Sequence, residues 1–133
     1  MNAVFLDTVG LLALWDRGDQ WHAAAEAAYA RINAERLPFL TTTFVLLECG
    51  NAASRRSYRP KVATLRRTLE HRDEVVVPTE EDWRLAWENY EHEPASQAGI
   101  VDHVSFVVMR RLGLAQAFTH DRHFQSAGFS VLF

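Results

Sequence analysis

Four carboxylates stand in company that acids usually avoid. Asp7 directly follows Val4-Phe5-Leu6, and Asp121 closes the stretch Phe118-Thr119-His120-Asp121. Glu48 interrupts the apolar run Phe44-Val45-Leu46-Leu47-Glu48-Cys49, and Asp102 lies within Ile100-Val101-Asp102-His103-Val104-Ser105-Phe106. An acid among apolar neighbours is costly to bury unless something compensates its charge. Carboxylates brought together repel, and some take up protons unless a cation neutralises them. An all-oxygen ligand set suits Mg²⁺ or Mn²⁺ rather than zinc. Such an ion polarises a phosphoryl oxygen, lowers the pKa of a bound water and stabilises a leaving oxygen. The chemistry implied is metal-assisted phosphodiester hydrolysis.

Each acid also has a simpler reading. Asp7 could do no more than cap the helix that follows it, and Asp121 could open a short turn over 121–125. Asp102 could be an early-turn acid favoured by the helix dipole. Capping accounts least well for Glu48, which falls in mid-helix. Each position is a weak signal alone; four at one edge of one sheet are a stronger one.

The elements that would position them alternate along the chain. Short apolar runs at 4–6, 39–40 with their neighbours, 75–77, 115–118 and 131–133 read as five strands buried on both faces, as parallel strands are. Trp21, Ala25, Ala28, Tyr29 and Ile32 recur at helical spacing, as do Trp83, Trp87 and Tyr90, and Val104, Val107, Val108 and Leu112. Thr79 with Asp82 three residues on is a helix start, Gly113 a helix stop, and Arg59-Pro60 a break between two helices. Strands separated by helices predict an α/β domain with a mostly parallel sheet, whose ligands bind beyond the carboxyl ends of the strands. Asp7 and Asp121 both follow strands directly and fall at that edge.

Composition narrows the classes. A chain of 133 residues, 48% hydrophobic and 23% charged, suits one compact domain over 1–133 and excludes dominant disorder. The lone Cys49 excludes a disulfide framework and suits a reducing, cytoplasmic compartment. No apolar run is long enough to span a membrane, and no secretory signal pattern opens the chain. The net charge of −3 is a poor fit to simple electrostatic binding of nucleic acid. With the four acids assigned to a cation, fourteen cations face thirteen remaining acids, a balance of +1.

In these segments the chain resembles the PIN domains, and specifically the VapC-type toxin ribonucleases of bacterial toxin–antitoxin pairs. The pieces are Val4-Phe5-Leu6-Asp7-Thr8; Thr42-Thr43 followed by Glu48 and Asn51; Val101-Asp102-His103-Val104-Ser105 through Arg110-Arg111-Leu112-Gly113; and Ala117-Phe118-Thr119-His120-Asp121-Arg122-His123-Phe124 with Ala127-Gly128-Phe129. They run in the family's order over nearly the whole chain. The resemblance implies a three-layer α/β/α fold with a five-stranded, mostly parallel sheet. It makes Asp7, Glu48, Asp102 and Asp121 the catalytic, metal-binding quartet for Mg²⁺ or Mn²⁺. Thr8, Asn51 and Ser105 become supporting polar positions. It also implies cleavage of structured tRNA or rRNA, a cognate antitoxin and a homodimer. Gly99 departs from the pattern, standing where many relatives have Ser before the third acid.

Other features carry two readings. Seven of the fourteen cations fall between 55 and 72, among them Arg55, Arg56, Arg59, Arg66 and Arg67. They form either a phosphate-positioning surface for RNA or a solvated helix face. His123 either contacts a phosphate or orients Asp121, or else serves packing and local hydrogen bonding; the second pair of roles is favoured. His103 points away from its neighbour Asp102 and is a poor co-ligand. The four Trp residues, all on expected helices, read as core, with an apolar groove for a partner as the alternative. Three competing functions stand beside the nuclease. A phosphatase with Asp7 as nucleophile lacks the second acid, because Val9 stands there. The others are a fold that only binds RNA or protein, and an RNA-processing nuclease without an antitoxin.

Overall fold

The structure is a computed structural model and describes residues 2–93 and 96–133. The chain runs β1 (Val4–Leu6), α1 (Thr8–Trp15), α2 (His22–Ala34), β2 (Phe39–Thr42), α3 (Thr43–Ala53), α4 (Arg59–His71), β3 (Val75–Val76), α5 (Glu80–His92), α6 (Ile100–Leu112), β4 (Gln116–Phe118), α7 (Arg122–Ser126) and β5 (Ser130–Val131). The five strands form one sheet in the order β3-β2-β1-β4-β5, and every pair is parallel. Val4 pairs with Phe39 on one side and Gln116 on the other, so β1 is the central strand.

This order creates a crevice. The chain steps outward from β1 to β2 to β3, then crosses back to place β4 on the far side of β1. Connections on either side of such a reversal leave the sheet in opposite directions, which opens a site at the carboxyl ends of the two strands. Here those ends are Leu6 and Phe118, paired with each other. Asp7 follows the first, and the segment Thr119-His120-Asp121 follows the second.

Local chemistry sets the element ends where the sequence placed them. The Thr79 hydroxyl accepts from the Asp82 amide and the Asp82 carboxylate accepts from the Thr79 amide, a reciprocal cap on α5. Gly113 closes α6 with φ of 70°, a conformation few side chains tolerate. Pro60 sits in the first turn of α4, where its missing N–H costs nothing. The Thr42 hydroxyl caps α3.

Two expectations need correction. The outer strands are not buried on both faces: β3 and β5 are half-buried edges, and β5 begins at Ser130 rather than at 131. The Trp residues are not uniformly core. Trp15 is buried, Trp87 is partly buried, Trp83 is 50% exposed, and Trp21 precedes α2 rather than lying on it. Sequence periodicity shows which face a residue shares, but not whether another element covers that face.

The core gathers Val4, Phe5, Leu6, Leu11, Phe118 and Phe124, all fully buried, with residues of α2, α3 and α6 around them. A smaller cluster of Ala86, Val104, Val107 and Val108 joins α5 to α6. The bidentate Arg111–Asp82 pair at 2.9 and 2.7 Å ties those helices together beside it. Burial pushes the Asp82 carboxyl up, and the Arg111 guanidinium together with the Thr79 amide and hydroxyl offsets this, leaving it below the usual range. Gly10 permits a third constraint. A Cβ there would lie 2.0 Å from the Phe118 carbonyl oxygen, so α1 can sit flush against the end of β4 only because this position has no side chain.

Candidate active site

Asp7 occupies the N-cap position of α1, yet its carboxylate makes no capping bond. It is 1% exposed and accepts instead from the Thr119 hydroxyl at 2.8 Å. The Thr119 oxygen in turn accepts from the Asp121 amide at 3.1 Å. One hydroxyl therefore links the acids that follow β1 and β4. Asp121 caps α7 through the His123 amide at 2.9 Å, and the His123 Nδ1 lies 3.0 Å from the same carboxylate oxygen. His120 is flanked by Trp21 (ring centroids 4.5 Å apart, stacked) and Phe133 (5.6 Å), which pins the segment carrying Asp121.

Asp102 lies in the first turn of α6, where its carboxylate accepts from the Gly99 amide at 3.3 Å. Ligand atoms of Asp102, Asp121 and His123 all fall within 4.8 Å of one another. Glu48 reaches the same region from α3. On that helix Val45, Leu46, Cys49 and Ala53 face the core, while Phe44, Leu47, Glu48 and Asn51 form the opposite stripe. The expectation that Glu48 is an acid among buried neighbours is corrected by this: its side chain is exposed, and part of the apolar run beside it is exposed too.

The electrostatics show four carboxylates sharing one region. Burial, then the charge of Asp102, pushes the Asp7 carboxyl up to about 8; Asp121 and Glu48 add to this, and the Thr119 hydroxyl opposes it. Asp102 is pushed up to about 6, by burial first and then by Asp121 and Glu48, against the Gly99 amide and His123. Without a cation, the cluster holds more negative charge than its own donors satisfy. A set of carboxylates converging from three elements suits a divalent cation held through oxygen.

The supporting residues divide. Asn51 is exposed on the Glu48 stripe. The Thr8 and Ser105 hydroxyls are buried and have no hydrogen-bond partner among the described residues. Burial pushes the Cys49 thiol up to about 12, so it is inert as a nucleophile. His103 is buried, with its ring edge-on to Tyr90 and Phe106, and its pKa is lowered by that burial. Among the arginines, Arg56 pairs with Asp16 at 3.0 Å, Arg66 pairs with Glu70, and Arg59 donates to the Ser54 carbonyl. Arg59 and Arg66 line a cavity of about 610 Å³ between α3 and α4 that includes none of the four carboxylates.

Sequence reasoning missed Thr119, whose partner lies 112 positions away and leaves no local trace. The local role favoured for His123 fits its place, since its ring Nδ1 lies 3.0 Å from the Asp121 carboxylate two residues back; its place within 4.8 Å of the ligand atoms of Asp102 and Asp121 was not read from sequence. The Asp-x-His spacing across a helix start is the signal that could have raised it.

A five-stranded parallel sheet reversing at β1, with acids gathered at its carboxyl edge, defines a class. The PIN domain family matches residues 4–130, and the chain belongs to it. The 23S rRNA-specific endonuclease VapC20 of Mycobacterium tuberculosis is 32% identical over 135 residues, covering 95% of each chain. Its crystal structure, described as that of a Sarcin-Ricin loop cleaving toxin, superposes with a TM-score of 0.77 at 29% identity, covering 96% of each chain. FitAcB from Neisseria gonorrhoeae shares the fold, with a TM-score of 0.65 at 13% identity over 98% of this chain and 96% of that one.

Proposed function

We propose that this chain is a metal-dependent endoribonuclease of the VapC toxin type. The observation that carries the reading is the meeting of Asp7, Asp102 and Asp121, with Glu48 beside them, at the crevice between β1 and β4. Asp7, Glu48, Asp102 and Asp121 would hold Mg²⁺ or Mn²⁺. When bound, the ion would polarise the phosphoryl oxygen and lower the pKa of an attacking water. The chain's own residues set the stage for that step. The Thr119 hydroxyl fixes Asp7 and the backbone of Asp121, and the His123 ring orients the Asp121 carboxylate. The exposed Glu48 presents an oxygen from the solvent side. Thr8 and Ser105 back the site from within, and Arg55, Arg56, Arg59, Arg66 and Arg67 supply a cationic flank for RNA phosphates.

Structured rRNA is the favoured substrate, in keeping with what the name of VapC20 states of that protein. Single-stranded loops suit such a site because their bases can splay out. A cognate antitoxin would hold the toxin inactive in the cytoplasm. A homodimer is supported by Leu47, Val77 and Trp83, large apolar side chains left exposed on this single chain. Residues 1–133 would act as one domain.

Purified antitoxin-free protein should cut total cellular RNA into discrete fragments with Mg²⁺ or Mn²⁺. Chelator should stop cleavage, and so should Asp121→Asn. Cleavage that survives both treatments would overturn the assignment. Tight RNA binding without cleavage would favour a binding module on the same fold.

A further inference from the structure

We propose that the exposed ring of Trp21 is a platform on which one base of the RNA stacks, beside the carboxylate cluster. The proposal rests on the nuclease reading and deepens it, because it names where a nucleotide next to the cut is held. Trp21 precedes α2 and is 38% exposed. One face of its indole stacks on the His120 imidazole, with centroids 4.5 Å apart and planes 15° apart. The covered face is the one on His120, so the exposure lies on the far side and rim of the ring.

Three observations point to a base as the occupant. The first is place. His120 is the chain neighbour of Asp121, with Cα atoms about 3.8 Å apart. The stack therefore begins one residue from a member of the acid cluster, and an RNA strand with a phosphate at that cluster has a neighbouring base within reach of the ring. The second is rigidity. The Trp21 amide donates to the Asp19 carboxylate at 2.7 Å, and its carbonyl accepts from the Ala25 amide at 2.9 Å. Phe133 braces His120 at 5.6 Å. The ring is held before any ligand arrives, so a base added to it lengthens an existing column at little entropic cost. The third is charge. Arg122, the residue after Asp121, is exposed and has no ion pair or hydrogen bond among the described residues. It is an unspent cation for a phosphate of the same strand. Of the acids in the loop before Trp21, Asp16 is paired with Arg56, and Asp19 is engaged by the Trp21 amide.

A subunit contact is the competing occupant. The exposed side chains that support a homodimer, Leu47, Val77 and Trp83, come from α3, the end of β3 and α5. Trp21 rests on the segment that follows β4, and β3 and β4 are three strand spacings apart in the sheet, about 14 Å. A base needs no such continuity. Every base has a π-face, so the ring supplies affinity and register without choosing a sequence.

The test is a binding cycle with a labelled stem-loop RNA, intact or with one loop nucleotide at a time made abasic. The protein is Asp7→Asn in Mg²⁺, which removes one charge from the cluster and keeps the RNA whole. One abasic position should weaken binding about 10-fold or more. Adding Trp21→Ala should weaken binding of the intact RNA by a similar factor and shrink the abasic penalty at that position to about 2-fold or less. Trp21→Phe should restore most of the penalty. A ring that only pins His120 would lower binding of intact and abasic RNA alike, and an undiminished penalty in Trp21→Ala overturns the proposal. So does an RNA series that does not bind or has no weak member. A change of oligomeric state in Trp21→Ala by sedimentation, with the penalty intact, assigns the ring to a subunit contact instead. Cleavage of the same series by wild type keeps the two readings apart. A weak abasic member without cleavage sinks the nuclease reading and leaves the platform standing, and cleavage with a flat series does the reverse.

Discussion

Metal-free protein should lose stability as the pH rises through a range where most proteins hold theirs. The Asp7 carboxyl has an ordinary pKa of 3.8 and is pushed up to about 8 in the fold. Between those values the folded state keeps a proton that the unfolded chain has already released. Stability is then fully present below pH 4 and falls as the pH climbs toward the folded value. The slope is about 1.4 kcal/mol per pH unit, so Asp7 alone removes about 2.7 kcal/mol between pH 5 and 7. Asp102, raised from 3.8 to about 6, adds to the loss over the lower part of that window. For a domain of this size the Asp7 contribution is a fall in Tm of roughly 8–10 °C. The assay is thermal unfolding in chelator at constant ionic strength from pH 5 to 8, followed by titration with Mg²⁺ at the upper end. Ion at about 100 times its Kd should restore about 2.7 kcal/mol. Asp7→Asn, which cannot ionise, should flatten most of the profile, stabilise the metal-free protein at neutral pH and blunt the response to Mg²⁺. A Tm that is flat or rising over this range in metal-free wild type would refute the reasoning, as would an Asp7→Asn profile as steep as that of wild type.

Two further outcomes follow from single contacts. His123→Ala should weaken Mg²⁺ affinity about 10-fold to 100-fold in the thermal-shift titration while leaving the metal-free Tm near that of wild type, because the ring orients Asp121 and is partly exposed. Gly10→Ala should cost about 4 kcal/mol or more, since the new methyl group meets the Phe118 backbone and no side chain can yield; a urea midpoint unchanged from wild type would count against the packing described here.

Much of this was legible along the chain because the deciding interactions are local. The box of Thr79 and Asp82, the stop at Gly113 and the break at Pro60 are each settled within a few residues. The central strands announced themselves as apolar runs because both faces of β1 and β2 are covered. Asp7 and Asp121 were legible as candidates because each follows an apolar strand run, at the edge where such sheets bind ligands. Asp7 shows the limit of that reasoning. Its capping and cluster readings are indistinguishable in sequence and separate only when Thr119 arrives from the other end of the chain. Glu48 shows another. Its neighbours are apolar, but α3 presents two faces, and on the outer one Leu47 is exposed while Phe44 packs against the cluster between α5 and α6. The exposed Trp83 follows the same logic, since helical spacing cannot report whether anything lies on top.

The contact between Gly10 and Phe118 has a consequence for how such a site can change over evolutionary time. It joins the start of α1 to the end of β4, the two places from which Asp7 and Asp121 emerge. The spacing of those acids is therefore inherited from the packing of the central strands, and drift in one drags the other. Glu48 and Asn51 stand instead on the exposed side of α3, away from the central strands. Substitutions on that side of α3 can change what surrounds Glu48 without moving Asp7 or Asp121. Position 10 should accordingly be the least free to change, since any side chain there would part the two elements that carry those acids.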